Sequence, residues 1–286
     1  MPVYETDEPV LYERSDAIAW VSLNRPDYAN SQNAQMLYAL DSAFERAVAD
    51  EEVRVIVLRG AGKHFSAGHD IGSPGRDVDL PPVAATTMWG DHTKLDGAAR
   101  PYTREQQLYL GMCRRWREIP KPTIAAIHGG CIAGGLMLAW ICDLIVATQD
   151  AFFSDPVLQM GIPGVEYFAH AFEMHPRLAR EFVFLGERMT ALRAYELGMV
   201  NRVVGADDLI DEVKRIAERL ASMPAFGMTL AKQAFNRAED QMGKHSAMDT
   251  AFNIHHLAHA HAQLTTGSMI SGQNAKTMSQ TTGDKH

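Results

Sequence analysis

Leu11 and Tyr12 lead into the polar pair Glu13-Arg14, and an apolar run follows at Ile18–Leu23, with Ser15 and Asp16 between them. That pattern predicts two strands joined by a turn. After Asn24-Arg25-Pro26, Met36, Leu37, Leu40, Phe44 and Val48 recur at helical spacing, which predicts a helix over 35–49. The β-branched run 53–58 ends at Arg59-Gly60 and reads as a buried strand. The same kinds of element return later: a strand over Thr123–Ile127, a helix over 134–141, and strands over 144–147 and Phe152–Ser154. Strands that alternate with helices predict an α/β fold with parallel pairing.

From Tyr167 onward the pattern is almost entirely helical. Thr190 suits the N-cap of a helix over 191–197, and Gly198 stands where a terminating glycine belongs. Asp207 is placed to cap 209–222, in which Leu209, Val213, Ile216 and Leu220 mark one apolar face. Further helices are predicted over 228–240 and 247–264. The residues from Thr265 are rich in Thr, Ser, Gly and Gln and have little to bury. They are expected to be loosely held unless a partner subunit binds them.

Composition narrows the function. Of 286 residues, 46% are apolar and 22% charged, so the chain can bury a core without disulfides or metal. With 27 basic against 35 acidic residues, and no basic cluster larger than Arg114, Arg115 and Arg117, nucleic-acid binding has no electrostatic footing. Cys113, Cys131 and Cys142 form no C-x-x-C pair, and Met1 to Arg14 contains no apolar signal core. Both point to a reduced, cytoplasmic setting. The uncharged stretch between His128 and Asp143 is shorter than the ~18 residues of a membrane span and reads as buried core.

Three segments place glycine where a strand meets a helix or loop: F-S-A-G-H-D at 65–70, G-G-C-I-A-G-G at 129–135, and M-G-I-P-G at 160–164. Glycine permits close backbone approach, and peptide N–H groups left free there can stabilise a developing oxyanion. Tight turns alone would explain any one of the three.

In order, N-R-P, F-S-A-G-H-D, K-P-T-I-A-A-I-H-G-G-C-I-A-G-G, C-D-L and M-G-I-P-G resemble the crotonase (enoyl-CoA hydratase/isomerase) superfamily. The segment M-T-A-L-R-A-Y-E-L-G-M-V-N-R-V-V at 189–204 is similar to the helix and strand that follow that family's core. The resemblance runs from Leu11 to about Asn236. It implies an α/β spiral of ββα units over 1–200, a helical oligomerisation region over 201–264 that builds a trimer or a hexamer of two trimers, and a tail over 265–286. It also implies acyl-CoA thioester substrates, with coenzyme A carried by the substrate and no separate cofactor or metal. By position, the oxyanion amides fall on Ala67 and Gly134, and the coenzyme A contacts on Tyr28, Ala29, Asn30, Ser66, Ala67, Asp70 and Ile71. Asp70 could equally cap a local turn.

Two departures bear on mechanism. The positions at which a hydratase of this family carries its two glutamates hold Met137 and Val157, and neither can transfer a proton. Met137 is left to line the acyl pocket. Glu166 is the leading replacement acid/base, although a glutamate at a helix start has a plain electrostatic reason. His170, four residues on, could share its helical face, and Asp155 could reach the pocket or merely cap a turn beside Pro156. His69 stands at the pocket mouth or the solvent edge. Isomerisation, hydrolysis and atypical hydration all stay open, as does a non-catalytic acyl-CoA-binding paralogue. The second departure is the long stretch 72–120, containing Trp89, His92 and Trp116, which either walls the pocket or forms a surface loop.

His245, His255, His256, His259 and His261 cluster near the end of the chain. His255 and His259 have metal-binding spacing, but no carboxylate or cysteine stands beside them in sequence, so a subunit interface is the expected use.

Overall fold

The computed structural model describes residues 8–73, 77–82 and 90–273. Strand β2 (Ile18–Leu23) buries every side chain because it is covered on both faces. It pairs antiparallel with β1 (Val10–Ser15) and parallel with β3 (Val55–Gly60), which leads on to β4 (Thr123–Ile127), β6 (Leu144–Thr148) and β9 (Arg202–Val204) in parallel. Side chains alternate between two cores. Ala19, Val21, Ile56, Leu58, Ala125 and Ile127 face the larger one, packed by α1 (Ala34–Ala49). Trp20, Val55, Val57, Ile124 and Val146 meet Leu209, Val213 and Ala217 of α8 (Leu209–Ala221) on the other side. Two covered faces account for apolar runs without strict alternation.

A second, smaller sheet lies beyond the first. β5 (Gly130–Ile132) pairs parallel with β7 (Phe152–Ser154), which pairs antiparallel with β8 (Met189–Thr190). Isolated bridges Ser66–Cys131 and Gln32–His69 extend the ladder. The chain thus runs from the large sheet into the small one and then into a helix, as in β4, β5 and α4 (Gly134–Trp140).

Within the long stretch 72–120, residues 99–117 are helical. They form α2 (Ala99–Glu105), a π-helical turn (Gln106–Gly111) and α3 (Met112–Arg117), which bury Leu108, Tyr109, Leu110, Met112 and Trp116. Trp89 lies outside the described residues. After α5 (His170–Glu173) and α6 (Pro176–Leu185) comes α7 (Ala191–Glu196), where the Thr190 hydroxyl accepts from the Arg193 N–H. Helix α8 starts one residue later than an Asp207 cap requires: Asp208 holds the cap position without a side-chain hydrogen bond.

Helices α9 (Ala225–Gln241) and α10 (Lys244–Thr266) are tied to the core by charge. Lys232 Nζ lies 2.8 Å from the Asp143 carboxylate, and Arg117 reaches the Asn236 carbonyl, Glu239 and Asp240. Beyond α10, the Ser271 and Gly272 N–H groups donate to the Met160 carbonyl, and the Gln273 N–H to the Gln159 carbonyl. No helix among the described residues is long and apolar enough to cross a membrane.

Candidate active site

Two glycine loops meet where the sheets join. Beyond β3, Phe65 is buried, and the Ser66 strand bridge seats the following residues against Gly130–Ile132. Gly68 has φ +91°, and a Cβ there would stand 2.9 Å from both the Gly134 nitrogen and the Ile132 carbonyl oxygen. A Cβ on Gly135 would stand 2.5 Å from the Ser66 carbonyl oxygen. Only glycine allows this approach.

The approach decides which amides remain available. The Ala67 N–H donates to the Ala29 carbonyl at 2.9 Å and the Gly68 N–H to the Ser66 hydroxyl at 3.3 Å. The sequence-based assignment of an oxyanion donor to Ala67 therefore needs correction, because that hydrogen is already taken. Among the described residues, the His69 and Gly134 N–H groups have no acceptor. Their proximity is explicit: a Cβ on Gly134 would lie 2.7 Å from the His69 ring.

Three of the residues expected to touch coenzyme A hold this loop in shape. Asn30, fully buried, donates to the Ala61 and His64 carbonyls and accepts from the Arg25 N–H. The Ser66 hydroxyl donates to the Asn30 carbonyl. Asp70 pairs with Arg25 at 3.0 Å and accepts from Ser73. Burial pushes its carboxyl up, but the Ser73 hydrogen bonds and the Arg25 charge outweigh that and hold it below its usual value. Tyr28, under the Arg25 guanidinium, and Ala29 are half-buried, and Ile71 is exposed.

The acid/base candidate has a partner. Glu166 is buried in the loop before α5, and its Oε2 lies 2.7 Å from His69 Nε2. Burial opposes its ionisation; the His69 charge and hydrogen bond, with His255 behind, prevail and keep it below the usual carboxylate value. An ionised carboxylate can only accept, so Nε2 carries a proton, and in the neutral form of the ring Nδ1 presents a lone pair. That Nδ1 is buried and makes no hydrogen bond among the described residues. The ring is fixed from the other side by Tyr109, stacked at 3.7 Å between centroids, whose phenol burial raises to about 12. Tyr109 sits in the π-helical turn, an irregularity common at functional sites.

The other candidates separate. His170 does not share a face with Glu166: it is buried 2.7 Å from Asp155, which also caps the turn at Val157. Met137 is wholly buried in the main core and Val157 packs partly against it. Sequence reasoning missed Tyr109 and Glu105. Glu105 supplies the carboxylate that the histidine cluster lacked in sequence, with its Oε2 3.2 Å from His256 Nε2 and 3.6 Å from His255 Nε2. No spacing rule links positions so far apart.

Two interlocked sheets in strand–strand–helix succession, with helices at the C-terminal end, define an α/β protein of the crotonase fold. The chain belongs to the enoyl-CoA hydratase/isomerase family, whose sequence pattern matches residues 13–82 and 90–276. It is 40% identical to a putative enoyl-CoA hydratase of Mycobacterium tuberculosis over 92% of this chain and 85% of that one. It is 30% identical to the 1,2-epoxyphenylacetyl-CoA isomerase of Escherichia coli, over 81% and 83%. A probable enoyl-CoA hydratase from Mycobacterium smegmatis superposes with TM-score 0.82 at 43% identity, covering 92% of this chain and 99% of that one.

Proposed function

We propose that this chain is an acyl-CoA enzyme whose proton-transfer group is the His69–Glu166 pair, and that it shifts the double bond of an enoyl thioester. The observation that carries the proposal is the unpartnered His69 Nδ1, held by Glu166 and Tyr109 beside the Gly134 amide. A thioester oxygen accepting from the His69 and Gly134 N–H groups would be polarised, and the enolate left by loss of an α-proton would be stabilised. One such donor is typically worth about a hundredfold or more in rate. Nδ1 takes the α-proton and returns it at the γ-carbon. A double-bond shift needs one base that gives back what it takes. Hydration needs a second acid/base group, which Met137 and Val157 do not provide.

A homotrimer or a pair of trimers, in a reducing cytoplasm, completes the reading. It is supported by the family, the three free cysteines and the apolar side chains exposed on α9 and α10.

The test is deuterium exchange into 2- and 3-enoyl-CoA substrates, alongside product analysis. The wild-type chain should exchange label at the α- and γ-carbons, and Glu166→Gln should slow this by about a hundredfold. Tight acyl-CoA binding with neither exchange nor turnover would instead identify a non-catalytic binding paralogue. Hydration or hydrolysis products without γ-exchange would replace the isomerase assignment.

A further inference from the structure

Behind Glu166, on the side away from His69, three potential metal ligands converge from distant parts of the chain. His255 and His259 lie one turn apart on α10, and their Nε2 atoms are 2.9 Å apart. Glu105, at the end of α2, places Oε2 3.6 Å from the first and 4.0 Å from the second. A point equidistant from donors so spaced lies about 2.1 Å from each, which is the bond length of zinc to imidazole nitrogen or carboxylate oxygen.

The surroundings are those of a ligand set. His255 Nδ1 donates to the Gly164 carbonyl at 2.9 Å and His259 Nδ1 to the Met269 carbonyl at 2.6 Å. Both rings are thereby fixed with Nε2 inward, the tautomer a metal requires, and metal-binding histidines are regularly held in this way. Glu105 Oε2 is buried and faces the three histidine rings. His256 Nε2, 3.2 Å away, is placed to orient the carboxylate. Glu166 Oε1, 3.7 Å from His255 Nε2, borders the same space.

We propose that Glu105, His255 and His259 bind one divalent transition-metal ion of the zinc class. The assignment departs from the expectation that this family member needs no metal, and it does not rest on the acyl-CoA reaction proposed above. The sequence conceals the site because its carboxylate comes from 150 residues upstream of the first histidine.

Cobalt(II) is the probe, added to the full chain after stripping with a chelator and followed by visible absorption. One equivalent should bind per chain, with the intense bands of a low-coordinate site, and raise the melting temperature. His259→Ala and Glu105→Ala should each weaken binding at least tenfold and lose the thermal shift. Should either fold poorly, His259→Cys decides: it keeps a metal donor, so it should retain the ion and add a thiolate charge-transfer band. The rival occupant of the gap is a proton shared by the two Nε2 atoms. In that case the wild-type chain gives no stoichiometric cobalt spectrum and the proposal falls. Cobalt bound equally by wild type and His259→Ala would overturn it too, by locating the ion elsewhere. These readings use no acyl-CoA, so they succeed or fail independently of the proposed reaction.

Discussion

At the scale of single residues, the site depends on which hydrogens are already taken. Gly68 turns the chain at positive φ between Ala67, whose N–H is bound to Ala29, and His69, whose N–H is not. A motif fixes the neighbourhood of such a donor but not the donor, since one positive φ redirects the amides on either side. Glu166 was legible because an acidic residue after G-I-P-G stands out, whereas its pairing with His69 spans 97 positions. Phe at position 109 would keep the stack on His69 while losing the phenol held by Arg104. Tyr109→Phe should therefore retain most activity, and Tyr109→Ala should lose about tenfold as the ring loosens. Steady-state rates of the two variants, measured side by side, check this. Asp70 gives a pH prediction. Its folded pKa is depressed, so its contribution to stability is present above the ordinary carboxylate value and is lost as pH falls through the lower, folded value. Denaturant midpoints measured from pH ~5 downward should fall more steeply for wild type than for Asp70→Asn.

At the scale of elements, the strands of the large sheet were readable because two cores claim their alternate side chains. Residues 99–117 were not, and the cause is local. The π-helical turn at Gln106–Gly111 inserts extra residues per turn, so the apolar positions of α2 and α3 fall out of phase with any single 3.6-residue pattern. The same turn carries Tyr109 to His69, so the feature that hid the helix also builds the site. The contact between loop and helix is similarly unforgiving. Gly135→Ala would drive a methyl group against the Ser66 carbonyl, a backbone atom that can move only with the F-S-A-G-H-D loop. A loss of about 1–3 kcal/mol is expected, together with a large fall in activity, because the His69 and Gly134 amides move with that loop. Thermal unfolding and kinetics on the same preparation check both. Unchanged activity would show that the amides do not act as a pair.

At the scale of the molecule, the C-terminal helices present a contrast. Their inner sides are tied down by Lys232 to Asp143 and by Lys244 to Glu173 and Glu239. Their outer sides leave Phe226, Leu230 and Phe235 on α9 and Ile254, Leu257 and Leu264 on α10 in contact with solvent. Ile254, Leu257 and Leu264 fall on one stripe of α10, a helix whose opposite side carries the histidines that face Glu105. A patch of this kind, rimmed by polar residues, marks a surface made to be covered, and closed symmetric assemblies are the common way to cover it. Light scattering should find three copies of the 31.6 kDa chain, about 95 kDa, or twice that. Placing a charge in the stripe, as in Leu257→Glu, should shift the mass toward the monomer. It should also lower the melting temperature in a concentration-dependent way, since association stabilises only the folded chain. A wild-type chain that stays monomeric at micromolar concentration would remove the assembly from the proposal. The pairing of His69 with Glu166 lies within one chain, so it would survive that result.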